Sequence, residues 1–244
     1  MNKLLPLIYI LVNLFFTNVH SQKLYKAVEN GDTQKVKKLI EKGADVNEYY
    51  KNGLFPLWRA AADNNTEIAL ILLENGADVN QVNKVEPAIA SPIMFPSQEG
   101  YFEMIKLLVE HGADVNFNGF HDFTPIRLAS MHGYTDIVKF YAANGAEIDY
   151  KAQDGATPLE HAAAKGHLEV VKFLIGEGAN VNNIDKDGDF PLGEAAKRGY
   201  MEVIAVLIEN GADLGLKNND NKDAVELAKE RGQRKAASFI EQHL

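Results

Sequence analysis

Residues 157–182 read TPLEHAAAKGHLEVVKFLIGEGANVN, and the same phrase returns along the chain in altered copies. Its closing letters, GANVN, have counterparts that begin at Gly43, Gly76, Gly112, Gly145, Gly178 and Gly211, with spacings of 33, 36, 33, 33 and 33 residues. A second mark stands 21 residues before five of these glycines: FPLW (55–58), SPIM (91–94), TPIR (124–127), TPLE (157–160) and FPLG (190–193). Two marks that share one period indicate a repeat protein.

The residues of this phrase predict a pair of helices followed by a turn. Thr157 is a capping residue, and Pro158 fits the first helical position, where a missing N–H costs nothing. Gly166 ends this first helix, and the apolar run 168–175 predicts a second one that is largely buried. Residues 180–188 are rich in Asn, Asp and Gly, as a hairpin tip requires. A single unit cannot bury its own apolar faces, so the units are expected to stack.

The phrase resembles the ankyrin repeat, and the resemblance covers about residues 22–244. It implies an all-α ankyrin-repeat solenoid of about seven helix–turn–helix units with hairpin loops. The expected domain is 22–244, with units at about 22–48, 49–82, 83–116, 117–149, 150–182, 183–215 and 216–244.

The first 21 residues do not fit the repeat period and are typical of a signal peptide. Lys3 precedes an apolar run from Leu4 to Val19, and a signal peptidase would accept the residues before Gln22. We therefore predict a signal peptide at 1–21 and a mature chain that begins on its first helix. The alternative is a retained leader that tethers a scaffold to the membrane, although a full span needs ~20 apolar residues.

Cysteine content and net charge limit the cellular compartments and the classes of partner that fit this protein. The chain has no cysteine, which fits a bacterial envelope better than a eukaryotic extracellular module. We predict a periplasmic or secreted location. The net charge of −9 argues against nucleic acid as a partner, because phosphate contacts need basic surfaces. We expect a monomer that does not contact the membrane once the signal peptide is removed.

Three departures from the phrase predict local changes of structure. The segment QVNKVEPAIA (81–90) carries three additional residues, and insertions in repeat proteins often map to the binding face. Pro96 falls inside an expected first helix, where proline costs ~3 kcal/mol, so we expect that helix to be short, bent or absent. Phe55 and Phe190 replace the capping threonine at a cost of about 1 kcal/mol. Packing or an outside contact should offset that loss.

Aromatic residues are concentrated at the hairpins of the second to fourth units, where polar residues are usual. The resemblance implies that hairpin tips and first-helix surfaces form the concave, partner-binding face, and aromatic side chains are frequent binding hot spots. Local packing around the insertion is the other explanation for these rings. The residues predicted to bind a partner are Tyr49, Lys51, Asn52, Leu54, Trp58, Asp63, Phe120, His121, Phe123, Met131 and His132.

The sequence has little that indicates catalysis. It lacks a cysteine nucleophile, a GxSxG elbow, an HExxH helix and a phosphate-binding glycine loop. Residues 183–194 have the spacing of a calcium loop, but they lie in phase with the repeat and contain Pro191. We therefore expect a binding protein with no cofactor, no metal and no enzymatic activity. It would bind a protein partner, either an envelope enzyme that it protects or a toxin that it neutralises. A metal-dependent enzyme that uses His121 and His132 is the remaining alternative.

Overall fold

The described residues form successive helix pairs, as the sequence predicted. The computed structural model describes residues 20–84 and 89–244, and it contains no β-strand in those ranges. Contacts divide the chain into two compact units, with the boundary after Asp114. The helices of the first unit are α1 (20–29), α2 (Thr33–Glu41), α3 (Pro56–Ala62), α4 (Thr66–Glu74), α5 (Met94–Glu99) and α6 (Phe102–Glu110).

The second unit, residues 115–244, begins with a short 3-10 turn at Phe120–Asp122. Within this unit the first helix of each pair packs on the first helix of the next pair, and the second helices pack likewise. This order is that of stacked repeats. Its helices are α7 (Pro125–His132), α8 (Thr135–Ala143), α9 (Pro158–Lys165), α10 (Leu168–Gly176), α11 (Pro191–Arg198), α12 (Met201–Glu209), α13 (Ala224–Glu230) and α14 (Arg234–Glu241).

Small residues on the first helices and branched residues on the second helices form the core. Ala162 and Ala163 of α9 are fully buried, and so are Val170, Val171 and Leu174 of α10. The small side chains let neighbouring first helices approach closely. The branched side chains of the second helices fill the space between layers, and this apolar burial is the main stabilising force of such a stack.

The helix that starts after Thr157 follows the predicted capping chemistry, whereas Thr124 makes no side-chain cap. The Thr157 hydroxyl accepts a hydrogen bond from the backbone N–H of Glu160 at 3.3 Å, and Pro158 is the first helical residue. Phe55 and Phe190 make no side-chain cap, but both rings are buried. A Cβ added at Gly193 would lie 2.8 Å from the Phe190 ring, so glycine makes room for it. The predicted loss of two caps is therefore offset by packing inside the protein.

At four places the asparagine that closes the repeated phrase joins one repeat to the following repeat, an arrangement that we call the asparagine clamp. Asn182 donates a hydrogen bond from Nδ2 to the carbonyl of Gly211 at 3.0 Å. Its Oδ1 accepts the backbone N–H of Asp213 at 2.8 Å. The same pair of bonds joins Asn47 to Gly76 and Asp78, Asn80 to Gly112 and Asp114, and Asn116 to Gly145 and Glu147.

The helix that contains Pro96 is short, as predicted. The expected destabilisation by a proline inside a helix was wrong. Helix α5 begins at Met94, two residues later than the Pro-led first helices, and spans six residues. Pro96 is therefore its third residue, where the backbone N–H has no partner within a helix anyway. The late start places the proline in the first turn, which tolerates it. Residues 85–88 of the predicted insertion lie outside the described residues. The backbone N–H of Lys84 beside them donates to Gly53.

The predicted signal peptide, 1–21, lies outside the described residues except for its last two positions. Those positions are helical and belong to α1, and Ser21 Oγ accepts the backbone N–H of Asp45 at 2.9 Å. Over the part of the chain that is described, no helix is long and apolar enough to cross a membrane.

Candidate partner-binding surfaces

The first unit presents a hairpin, residues 47–55, that is built around Tyr49. The Tyr49 hydroxyl donates to the carbonyl of Val82 at 2.8 Å, and its ring meets Phe55 edge-on at 5.9 Å. The ammonium of Lys84 lies 3.9 Å from the centre of the same ring. Three of the predicted binding residues therefore also have a structural role here: Tyr49, and the pair in which Asn52 Oδ1 accepts the backbone N–H of Leu54 at 3.2 Å.

The hairpin tip and helix α3 supply the remaining predicted residues of the first unit. Lys51 and Asn52 are exposed, and Leu54 and Trp58 are half-buried. Asp63 pairs with Arg59 at 2.7 Å. The indole Nε1 of Trp58 is buried without a hydrogen-bond partner. This surface offers exposed polar side chains at the tip and a partly exposed indole beside them.

In the second unit a hairpin cleft lies beside the short turn at Phe120–Asp122. The cleft has a volume of about 390 Å³ and is lined by His121, Phe123, Gln153 and Asp154. His121 and Asp122 both have left-handed backbones, with φ of 58° and 57°. Two adjacent non-glycine residues in this region are uncommon, and such conformations often mark functional sites.

Asp154 in the wall of this hairpin cleft pairs with a buried arginine, and the sequence had not predicted this ion pair. Arg127 is only 1% exposed, and its Nη2 lies 2.7 Å from Asp154 Oδ2. The Phe123 ring covers the guanidinium, whose carbon lies 4.0 Å from the ring centre. Burial alone would raise the pKa of Asp154, but hydrogen bonds from Arg127 and Ala156 hold that pKa below its usual value. Phe123 therefore has a packing role within the protein, whether or not it also contacts a partner.

The other predicted residues of the second unit have separate environments. Exposed His132 stacks on Tyr134 at 5.9 Å, and the half-buried Met131 accepts a hydrogen bond from His167 Nε2 through its carbonyl at 3.0 Å. Phe120 belongs to the short turn, and its side chain lies outside the described part. Among the predicted residues whose side chains are described, His121 and Phe123 line one cleft together.

Two neighbouring groups on α9, buried Glu160 and half-buried His161, were also missed. Burial and the charge of Arg127 lower the pKa of His161 to about 4. Burial and the carboxylates of Asp185 and Asp189 raise the pKa of Glu160 to about 9. Glu160 occupies the last position of the tetrapeptide TPLE, and Arg127 the same position in TPIR. A charged residue at that position was the available signal.

The carboxylates of the calcium-like loop, residues 183–194, make contacts within the protein. Among residues 20–84 and 89–244 no group of three or more His, Cys, Asp or Glu side chains could hold a metal ion. In the calcium-like loop, Glu194 pairs with Lys197 and Arg198. Asp185 accepts the backbone N–H of Asp189 at 2.7 Å. These oxygens are engaged within the repeat.

Comparisons with known proteins agree with this architecture. The family model for ankyrin repeats matches in three copies, at residues 24–119, 126–218 and 162–240. The chain belongs to the ankyrin-repeat family. Its structure is similar to the crystal structure of the human ASB11 ankyrin repeat domain, with a TM-score of 0.78 and 31% identity over 89% of this chain and 96% of that one. A search of curated proteins found no match. Ankyrin repeats are in general protein–protein interaction modules and non-enzymatic scaffolds.

Proposed function

We propose that this protein binds a partner protein through the hairpin cleft of the second unit. The observation that carries the proposal is the left-handed pair His121–Asp122, whose first member lines a cleft of about 390 Å³. The ion pair with buried Arg127 holds Asp154 in the wall of the cleft, so this part of the surface is pre-formed. A rigid site lowers the entropic cost of binding.

The hairpin tip of the first unit, Lys51 to Leu54, is proposed as a further contact surface. Its polar tip is exposed, while Tyr49 and Phe55 hold its base in place. Trp58 on the neighbouring helix gives this surface its own optical reporter. Binding there should change the fluorescence of the single tryptophan.

The experiment is a capture of partners by the purified chain, repeated with His121→Ala and Gln153→Ala. Both side chains are exposed and line the cleft, so their loss should weaken capture about tenfold without unfolding the protein. Lys139→Ala, exposed on α8, is the matched control. Phe123→Ala is less suitable, because its ring covers Arg127. Equal capture by the cleft variants and the control would contradict the proposal.

We propose further that the protein is exported and acts in the periplasm or outside the cell. The support is the predicted signal peptide, 1–21, and the absence of cysteine. In that setting a partner would be an envelope enzyme under protection or a toxin under neutralisation. Co-expression distinguishes the two roles, since an immunity protein restores growth to cells that make the toxin. N-terminal sequencing of the mature chain separates a free protein from the alternative, a tethered scaffold.

A further inference from the structure

Arg127 and Glu160 occupy the same position in consecutive repeats, but one side chain is basic and the other is acidic. Arg127 of α7 meets Asp154 of the following hairpin, so a cation faces an anion. Glu160 of α9 stands at the same position one repeat later. The carboxyl of Asp185, in the following hairpin, is close enough to raise the pKa of the Glu160 carboxyl, so an acid faces an acid.

The carboxyl of Glu160 is poorly placed to carry a charge. The residue is 5% exposed, and its Oε2 has no hydrogen-bond donor among the described residues. Asp185 already accepts a backbone N–H from Asp189 through its Oδ1. Glu160 is buried and Asp185 is half-buried, so ionising both carboxyls side by side is costly without a cation or a proton between them.

Three cations on the elements packed around Glu160 form ion pairs with other carboxylates. Lys197 of α11 bridges Asp189 and Glu194, and Arg198 pairs with Glu194. Arg127 of α7 is held by Asp154, and His161 is neutral because burial lowers its pKa to about 4. Lys165 and Lys186 are exposed, as is Asp187. The titratable and charged groups on the elements around Glu160 are Arg127, Asp154, His161, Lys165, Asp185, Lys186, Asp187, Asp189, Glu194, Lys197 and Arg198, of which Asp185, Asp189 and Glu194 act on its pKa.

We propose that Glu160 and Asp185 share one bound proton at neutral pH, and that this proton joins α9 to the hairpin of the next repeat (183–190). The proton turns Oε2 of Glu160 from an acceptor without a donor into a donor toward Asp185. It also removes the repulsion between the two acids. The pKa values agree in direction, because burial raises that of Asp185 and raises that of Glu160 to about 9.

The folded chain therefore holds a proton that the unfolded chain releases at neutral pH. The pKa of Glu160 is about 9 when folded, against an ordinary value of 4.5. Its contribution to stability is then complete below the unfolded pKa. It declines as pH rises and is lost as pH passes the folded pKa near 9. This junction of repeats is expected to loosen in alkaline solution.

The direct test is an NMR titration of the full chain with ¹³C-labelled glutamate carboxyls. One glutamate should stay protonated at pH 7 and titrate at alkaline pH, and its signal should be missing from Glu160→Gln. A wild-type spectrum in which every glutamate titrates below pH 6 would overturn the proposal. This measurement needs only wild-type protein, so it decides the matter even if the variant fails to fold.

A second measurement follows melting temperature from pH 5 to pH 8. Glu160→Gln keeps the shape of the side chain and donates an amide N–H to Asp185 without taking up a proton. Its melting temperature should exceed that of the wild type by several degrees at pH 8, and the difference should narrow toward pH 5. The control Glu202→Gln, exposed on α12, should keep the wild-type pH profile. Parallel profiles for Glu160→Gln and wild type would count against the shared proton.

Discussion

The carboxylate of Asp149 accepts a hydrogen bond from the backbone N–H of Asn180 at 2.8 Å, while its Oδ1 is buried without a donor. Asp149 stands where other repeats carry the clamp asparagine, and it lacks the amide that would donate to the Gly178 carbonyl. Asp149→Asn should supply this bond and remove a buried unsatisfied oxygen. We expect a gain of about 1 kcal/mol in the free energy of unfolding, measured by urea denaturation.

The reverse exchange provides the control for this prediction. Asn182→Asp removes the Nδ2 donor to Gly211 and leaves the Asp213 N–H bond in place, so it should lose about 1 kcal/mol. Stability that is unchanged in both variants would mean that the clamp amide contributes nothing.

Replacing Asp154 should destabilise the protein more than replacing Arg127, although the two residues form one ion pair. Asp154→Ala leaves a 1% exposed guanidinium without its carboxylate and should cost about 3 kcal/mol at pH 7. Arg127→Met leaves Asp154, whose side chain is 42% exposed, in contact with water and should cost less. Asp187→Ala, exposed in the next hairpin, is the control and should be nearly neutral. Equal effects of Asp154→Ala and this control would refute the assignment.

The same pair predicts the acid limb of the stability profile. Asp154 has a folded pKa below its ordinary value of 3.8, so its contribution is present above that value. The contribution disappears as pH falls through the lower, folded pKa. The cost of Asp154→Asn should therefore shrink as pH is lowered below 3.8, as thermal melts can show.

Gly133 should tolerate substitution far less than a glycine of the same conformation in open space. Its φ is +77°, and an added Cβ would lie 2.5 Å from Nδ1 of His167, a ring held by its bond to Met131. Gly133→Ala should cost well over the ~1 kcal/mol expected from the backbone alone. Gly211→Ala, with φ of +85° and nothing within 4 Å, isolates the backbone effect. Similar losses in both variants would exclude the steric argument.

Pro96 should matter little, in spite of its place in a helix. Because it is the third residue of α5, Pro96→Ala should change stability by less than about 1 kcal/mol. Ala162→Pro, in the middle of α9, should cost ~3 kcal/mol or more. A large gain for Pro96→Ala in calorimetry would show that the proline does strain its helix.

Much of the fold could be predicted because its determinants are local. The cap at Thr157, the helix-ending glycines and the apolar runs each act within a few residues of themselves. The ion pair of Arg127 with Asp154 was out of reach for the opposite reason, since the partner lies in the following repeat. Sequence shows that an arginine stands in TPIR, but only the fold shows that the side chain is interior.

The candidate site was predictable in part for the same reason. His121 and Phe123 were selected for their place at a hairpin, and they line one cleft. Gln153 and Asp154 complete that cleft from the next hairpin, and nothing in their own neighbourhood distinguished them. The left-handed backbone of Asp122 could not be read from its residue type alone, because Asp adopts this conformation more readily than most residues but uses it only occasionally.

The asparagine clamp has a consequence for how such a chain changes over generations. Asn80 still reaches Gly112 across a spacing that holds three additional residues. A stretch of gene that encodes one whole module can therefore be copied or deleted, and the flanking modules will still find matching partners in each other. The array can lengthen or shorten by recombination while each surviving joint keeps its bonds.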